Sequence, residues 1–113
     1  MPASDAVRVR HIRDAAREAL SFVQGRSRAD LDADHMLSLA LVRLLEIIGE
    51  SARGVSGAFR EPHPEVALRE MAGMRDRLIH GYFDINLDVV WETVIQDLPV
   101  LVAQAENIGA SGE

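Results

Sequence analysis

Four stretches of this 113-residue chain place apolar residues at helical period, a pattern that restricts the chain to packed helices. In the first, Ile12, Ala16, Ala19, Leu20 and Val23 form one stripe of a helix that Ser4 is placed to cap, with Asp5 in its first turn, and that Gly25 should stop. The second runs from Met36 to Ile48 and is apolar over most of its circumference, leaving Arg43, Glu46, Glu50 and Arg53 as its continuous polar stripe. The third starts at Pro64, a residue suited to a first helical position, and carries Ala67, Met71, Met74 and Leu78 toward a C-terminal Gly81. The fourth is marked by Leu87, Val90, Val94, Leu98 and Leu101, with Asp84 or Asn86 as its cap. Pro99 lies inside that last pattern and should kink or divide the helix. These stripes predict an all-α, up-and-down bundle of four main helices. The bundle is one domain over residues 1–113, ordered from residue 4 to residue 107 and frayed over 108–113.

The connections are polar. Residues 25–34 are acid-rich and read as a turn, Gly54-Val55-Ser56-Gly57 ends the second helix, and Arg60-Glu61-Pro62-His63-Pro64 is a loop. With 48% hydrophobic residues but only 4% aromatic ones, the core must be built from Leu, Ile, Val, Ala and Met. A second helix so apolar in so thin a bundle would expose a large patch, so the chain is expected to dimerise through its second and third helices. Trp91 lies off the main stripe and is expected to be partly exposed or at an interface.

Composition also narrows function. There is no Cys, which excludes disulfides and thiolate metal sites. No apolar run approaches a membrane span and the N-terminus lacks a secretory core, so a cytoplasmic protein is expected. The net charge of −6 disfavours indiscriminate adhesion to nucleic acid. All 12 basic residues are Arg, so any nucleic-acid site must gather Arg locally. Arg10, Arg13 and Arg17 are interleaved with Asp14 and Glu18 and read as a solvated face with ion pairs such as Arg10–Asp14, the alternative being an RNA-facing strip. His11, His35 and His63 are isolated and read as surface residues, while Glu46 and Glu50 read as ion-pair partners. No metal and no cofactor is expected.

One segment concentrates chemistry: Met74-Arg75-Asp76-Arg77-Leu78-Ile79-His80-Gly81-Tyr82. The guanidinium of Arg75 can hold a phosphate through two N–H groups, and the imidazole of His80 can move a proton near neutral pH. With His80 in the last turn of the third helix, the two groups are about 140° apart around the axis and could border one cleft. Spacing alone leaves the alternatives open. An Arg and a His near a helix end more often serve exposed carbonyls and the helix dipole, and Tyr82 more often packs as a hydrogen-bonded phenol.

The residues Ile48-Gly49-Glu50-Ser51-Ala52, Gly73 to Phe83 and Val90-Trp91 resemble the HepT-like HEPN proteins over most of the chain. The most specific part is R-x4-H-x-Y, matched by Arg75, His80 and Tyr82. The resemblance implies a dimeric helical bundle of the HEPN type. It implies a metal-independent endoribonuclease in which Arg75 grips the scissile phosphate, His80 acts as general acid or base, and Asp76 orients one of them. It further implies the toxin of a type II toxin–antitoxin system, whose MntA-like nucleotidyltransferase antitoxin transfers AMP to Tyr82. The expected partners are RNA, that antitoxin and a second copy of the chain, with no membrane and no DNA. The sequence departs from the family where Asn commonly follows the motif Arg and Asp76 stands here, and where a Trp often precedes the motif and Val66-Ala67-Leu68-Arg69 stands here. The alternative is a non-catalytic helical module that partners a nucleotidyltransferase.

Overall fold

The first two stripes meet face to face. In the computed structural model, which describes residues 3–56, 71–73, 78–80 and 84–111, helix α1 (Ala3–Phe22) packs along helix α3 (His35–Gly54). Ile12, Ala16, Ala19 and Val23 of the predicted stripe are buried, joined by Val9 and Ala15, while Leu20 packs at the edge. Facing them from α3 are Leu41, Leu45, Ile48 and Ala52, each at 0% exposure. A fully buried Leu or Ile contributes about 1.5–3 kcal/mol relative to its exposed state, so this seam is a main source of the fold's stability. Helix α1 is already running at Ala3, so Ser4 lies within the first turn and does not cap it. It ends as expected, and Gly25 adopts φ +73 in the turn that follows.

Residues 25–34 are more than a turn. Helix α2 (Arg28–Ala33) forms there, with the Ser27 N–H donating to the Asp30 carboxylate at 2.7 Å. Its one buried residue is Leu31, too little apolar signal to show a period. Arg28 ties this helix to the start of the last helical segment through Asp88 at 2.8 Å, beside its own-helix partner Asp32 at 2.9 Å. Asp34 then caps α3 by accepting from Leu37 N at 3.1 Å. On the solvated face of α1, Asp14 pairs with Arg13 at 3.0 Å, and Arg17 reaches across to Glu106.

The predicted fourth helix is present in three consecutive pieces: α4 (Leu87–Glu92), a π-helical turn (Thr93–Asp97) and α5 (Leu98–Ser111). Val90, Val94, Leu98 and Leu101 are all buried, and α5 packs on α1. The division expected near Pro99 thus occurs one turn upstream of it. Pro99 has no N–H to offer the Ile95 carbonyl, the Thr93 hydroxyl donates to the Val89 carbonyl at 2.7 Å, and the Leu98 N–H reaches back to the Thr93 carbonyl, a wide turn in place of a regular one. Trp91 is half-buried against the core.

Met71 and Leu78, two residues of the third stripe, are buried at 3% and 0%. Ala67 and Met74 lie outside the described residues. One expectation is overturned here: His80 is not in the last turn of a helix. Leu78 is the last helical residue before Ile79–His80, which is extended (β1) and pairs antiparallel with Asp84–Ile85 (β2) in the register Ile79↔Ile85, His80↔Asp84. The cause is a hydrogen bond: the Asn86 N–H takes the Leu78 carbonyl at 2.8 Å, the group that a continuing helix would give to its own next turn. Ile79 is β-branched and suits the extended backbone. The ladder is two residues a side and leaves the fold all-α. Among the described residues no helix is long and apolar enough to cross a membrane.

Candidate active site

Of the residues expected to carry chemistry, Arg75, Asp76 and Tyr82 lie outside the described residues, and His80 is described in its backbone. What the structure does describe is the frame on both sides of the motif. Before it, Met71 is buried, and the guanidinium of Arg53, in the last turn of α3, donates to the Ala72 carbonyl at 3.0 Å. This bond ties the end of α3 to the backbone three residues ahead of Arg75. After it, the β1–β2 ladder fixes the backbone of His80 between the buried Leu78 and the return strand. Asn86 then anchors the exit twice. Its N–H holds the Leu78 carbonyl, and its side chain accepts from Val89 N at 3.2 Å to cap α4. Of the two cap candidates, Asn86 takes the role, and Asp84 is instead the register partner of His80.

A second group of polar side chains was not visible in the sequence as a group. A cleft of about 370 Å³ opens between the N-terminal turns of α1 and the C-terminal part of α3, lined by Ser4, Val7, Arg8, His11, Glu50 and Ser51. Arg8 crosses the end of α3 over Gly54. A methyl group on Gly54 would stand 2.8 Å from Arg8 Cδ, so the missing side chain is what lets the guanidinium lie there. Beneath it Asp5 is 1% exposed and accepts from the Ser56 hydroxyl at 2.6 Å and from the Ser56 N–H at 3.0 Å. These two bonds, the hydroxyl first, hold the Asp5 carboxyl below its ordinary range against the opposing effect of burial, with a smaller contribution from the Arg8 charge. Asp5 was read as a helix-dipole residue. It is a clamp joining the start of α1 to the residues just past α3, and its partner 51 positions away gave no local signal. Among the described residues no three His, Cys, Asp or Glu side chains gather as a metal site.

The chain matches the model of the family described as ribonuclease HepT-like over residues 12–108. It is 42% identical over 98 residues to a protein named as an RNase in Caldanaerobacter subterraneus subsp. tengcongensis, covering 87% of this chain and 88% of that one. It is 39% identical over 95 residues to a protein of Thermococcus cleftensis named as ribonuclease HepT, covering 80% and 86%. A Methanocaldococcus jannaschii protein named as an RNase is 35% identical over 97 residues, covering 86% and 89%. No solved structure matches the chain. With the motif spacing, the helical architecture and a family match over residues 12–108, the chain belongs to the HepT-like family of HEPN ribonucleases.

Proposed function

We propose that this ribonuclease cleaves RNA without a metal through Arg75, Asp76 and His80, and that it is the toxin of a type II toxin–antitoxin pair. The observation that carries the reading is the spacing Arg75-x4-His80-x-Tyr82, which lies wholly inside the stretch matched by the family. The guanidinium of Arg75 binds and neutralises the scissile phosphodiester. The imidazole of His80 removes the 2′-hydroxyl proton or delivers one to the departing 5′-oxygen, and Asp76 orients one of the two groups. The 2′-oxygen bonds to phosphorus as the bond to the 5′-oxygen breaks, leaving a 2′,3′-cyclic phosphate and a 5′-hydroxyl. The ladder at Ile79–His80 supports this reading because it holds the backbone of the proposed acid–base residue on a fixed element.

The active form is a homodimer. Met36 at 82% exposure and Leu39 at 49%, both on α3, support it, because large apolar side chains so exposed are suited to a second surface. The cognate partner is an MntA-like nucleotidyltransferase that moves AMP onto the Tyr82 hydroxyl. The attached phosphodiester pairs with Arg75 and occupies the place of the RNA phosphate.

The test is RNA cleavage in EDTA by the wild type, Arg75→Ala and His80→Ala, with the product ends mapped. Cyclic phosphate ends from the wild type and a loss of at least a hundredfold in both variants are expected. Cleavage that survives both substitutions, or that requires a metal, refutes the mechanism. Intact-mass measurement after incubation with the nucleotidyltransferase and ATP tests the switch, since Tyr82→Phe must lack the AMP increment.

A further inference from the structure

We infer that the cleft between α1 and α3 is a nucleotide subsite of the RNA strand, outside the scissile position, in which Arg8 holds a phosphodiester and Glu50 and Ser51 take the hydrogen-bonding groups of the sugar and base edge. The inference rests on the ribonuclease reading and deepens it. Three observations carry it.

The first is chemistry. The lining combines one guanidinium, one imidazole, one carboxylate, two hydroxyls and the exposed apolar wall of Val7. A site for free phosphate would concentrate donors, and Glu50 would repel a dianion. A nucleotide unit presents a single negative charge beside hydroxyl and amine donors and an apolar base face. It therefore uses all of these groups. The cleft, of about 370 Å³, is open to solvent along its length, as a subsite for a strand that passes across it must be.

The second is construction. Arg8 is not a loose surface cation, because it lies over a glycine that leaves room for it, and its charge stands close to the buried Asp5 carboxylate. Asp5 in turn is held by both hydrogen bonds from Ser56. The Arg side chain is thereby pre-positioned, which lowers the entropy lost when it grips a phosphate.

The third is position. Glu50 stands three residues before Arg53, and Arg53 is bonded to the Ala72 carbonyl, three residues ahead of Arg75 in the sequence. The cleft and the backbone just ahead of the motif are thus both joined to the same end of α3. This arrangement also supplies the local Arg that an acidic chain needs for RNA.

The experiment measures binding of a fluorescent single-stranded RNA to the full chain by anisotropy across a salt series, in the His80→Ala background so that the RNA stays intact. Arg8→Ala is expected to weaken binding about tenfold and to lower the slope of log K against log salt by about 0.7, the contribution of one phosphate contact on a single strand. Arg8→Lys should restore most of the slope. Arg17→Ala, whose side chain pairs with Glu106 elsewhere, should match the parent. Glu50→Gln should weaken binding; tighter binding would show a repulsive carboxylate and overturn the nucleotide assignment. If Arg8→Ala does not fold, Gly54→Ala reads the same contact, since its methyl displaces the Arg8 side chain. Arg8→Ala binding with the parent's affinity and slope overturns the subsite. Wild-type cleavage in EDTA is scored separately. RNA that is bound in an Arg8-dependent way but not cut refutes the ribonuclease mechanism and leaves the subsite. RNA that is cut with no Arg8 dependence of binding refutes the subsite alone.

Discussion

Ser56→Ala removes one hydroxyl from the buried clamp at the start of α1, and its cost can be worked from the geometry. The lost bond is 2.6 Å long and is donated to a carboxylate that is 1% exposed. Hydrogen bonds to charged groups contribute about 1.5–3 kcal/mol, and the backbone N–H of residue 56 is retained, so a destabilisation of about 2 kcal/mol at pH 7 is expected. In a domain of this size that is a fall of about 8 °C in Tm. The effect must depend on pH with a definite sign. The Asp5 carboxyl titrates below the ordinary 3.8 in the folded chain, so its contribution is complete above the unfolded value and is lost as pH falls through the lower folded one. Ser56→Ala removes the largest cause of that lowering. The gap between the two proteins should therefore hold steady from pH 7 to pH 5, narrow as pH falls below 3.8, and close only beneath the lowered folded value, where the carboxyl is protonated in both. Urea unfolding at a fixed protein concentration across that range measures it. A gap below about 0.5 kcal/mol at pH 7, or one that does not narrow in acid, would show that the carboxylate is not held by this hydroxyl.

Three further outcomes are expected. Leu45→Ala, at a position with 0% exposure in the α1–α3 seam, should cost about 3 kcal/mol, seen as a lower urea midpoint at an unchanged slope. Asn86→Ala removes the cap of α4 and should cost about 1 kcal/mol, with faster hydrogen exchange at the Val89 amide that its side chain now holds. Arg53→Ala loses an exposed bond to the Ala72 carbonyl, so its stability should stay within about 1 kcal/mol of the wild type. Its kcat/KM on RNA should nonetheless fall about tenfold, because the segment ahead of Arg75 is released. Unchanged kcat/KM would remove Arg53 from the frame of the site.

The parts of the fold that the sequence displayed are those written as a period. Ile12, Ala16 and Ala19 in α1, and Val90, Val94 and Leu98 later, repeat often enough to fix both the helix and its buried face. Helix α2 offers one buried residue, Leu31, within a run of acids and Arg, so it has no period to read. The extended backbone at Ile79–His80 was hidden for a different reason. Leu78 completes a helical stripe and is buried, and what ends the helix after it is the amide of Asn86, eight residues on. In the site, the spacing of Arg75, His80 and Tyr82 is local and was legible. The cleft is not local: Arg8 and Glu50 become neighbours through the pairing of two helices, and His11 and Glu50 read separately as ordinary surface residues. Gly54 looked like a helix stop, and it is one, but it also makes room for Arg8.

The wide turn at Thr93–Asp97 gives the last helix slack in its length. In a regular helix a step of four residues overshoots a full revolution by about 40°, so two such steps would carry Leu98 about 80° away from Val90. Both are fully buried, because the turn closed by the Leu98 N–H on the Thr93 carbonyl takes up one residue more than a regular turn. Removing one exposed residue there, Ile95 or Gln96, would return the segment to ordinary helix with α4 and α5 still presenting the same faces. A one-residue deletion inside α1 or α3 would instead rotate every buried side chain beyond it out of the core. Length can therefore vary at this point of the chain without disturbing either the α1–α5 contact or the β1–β2 ladder that carries His80.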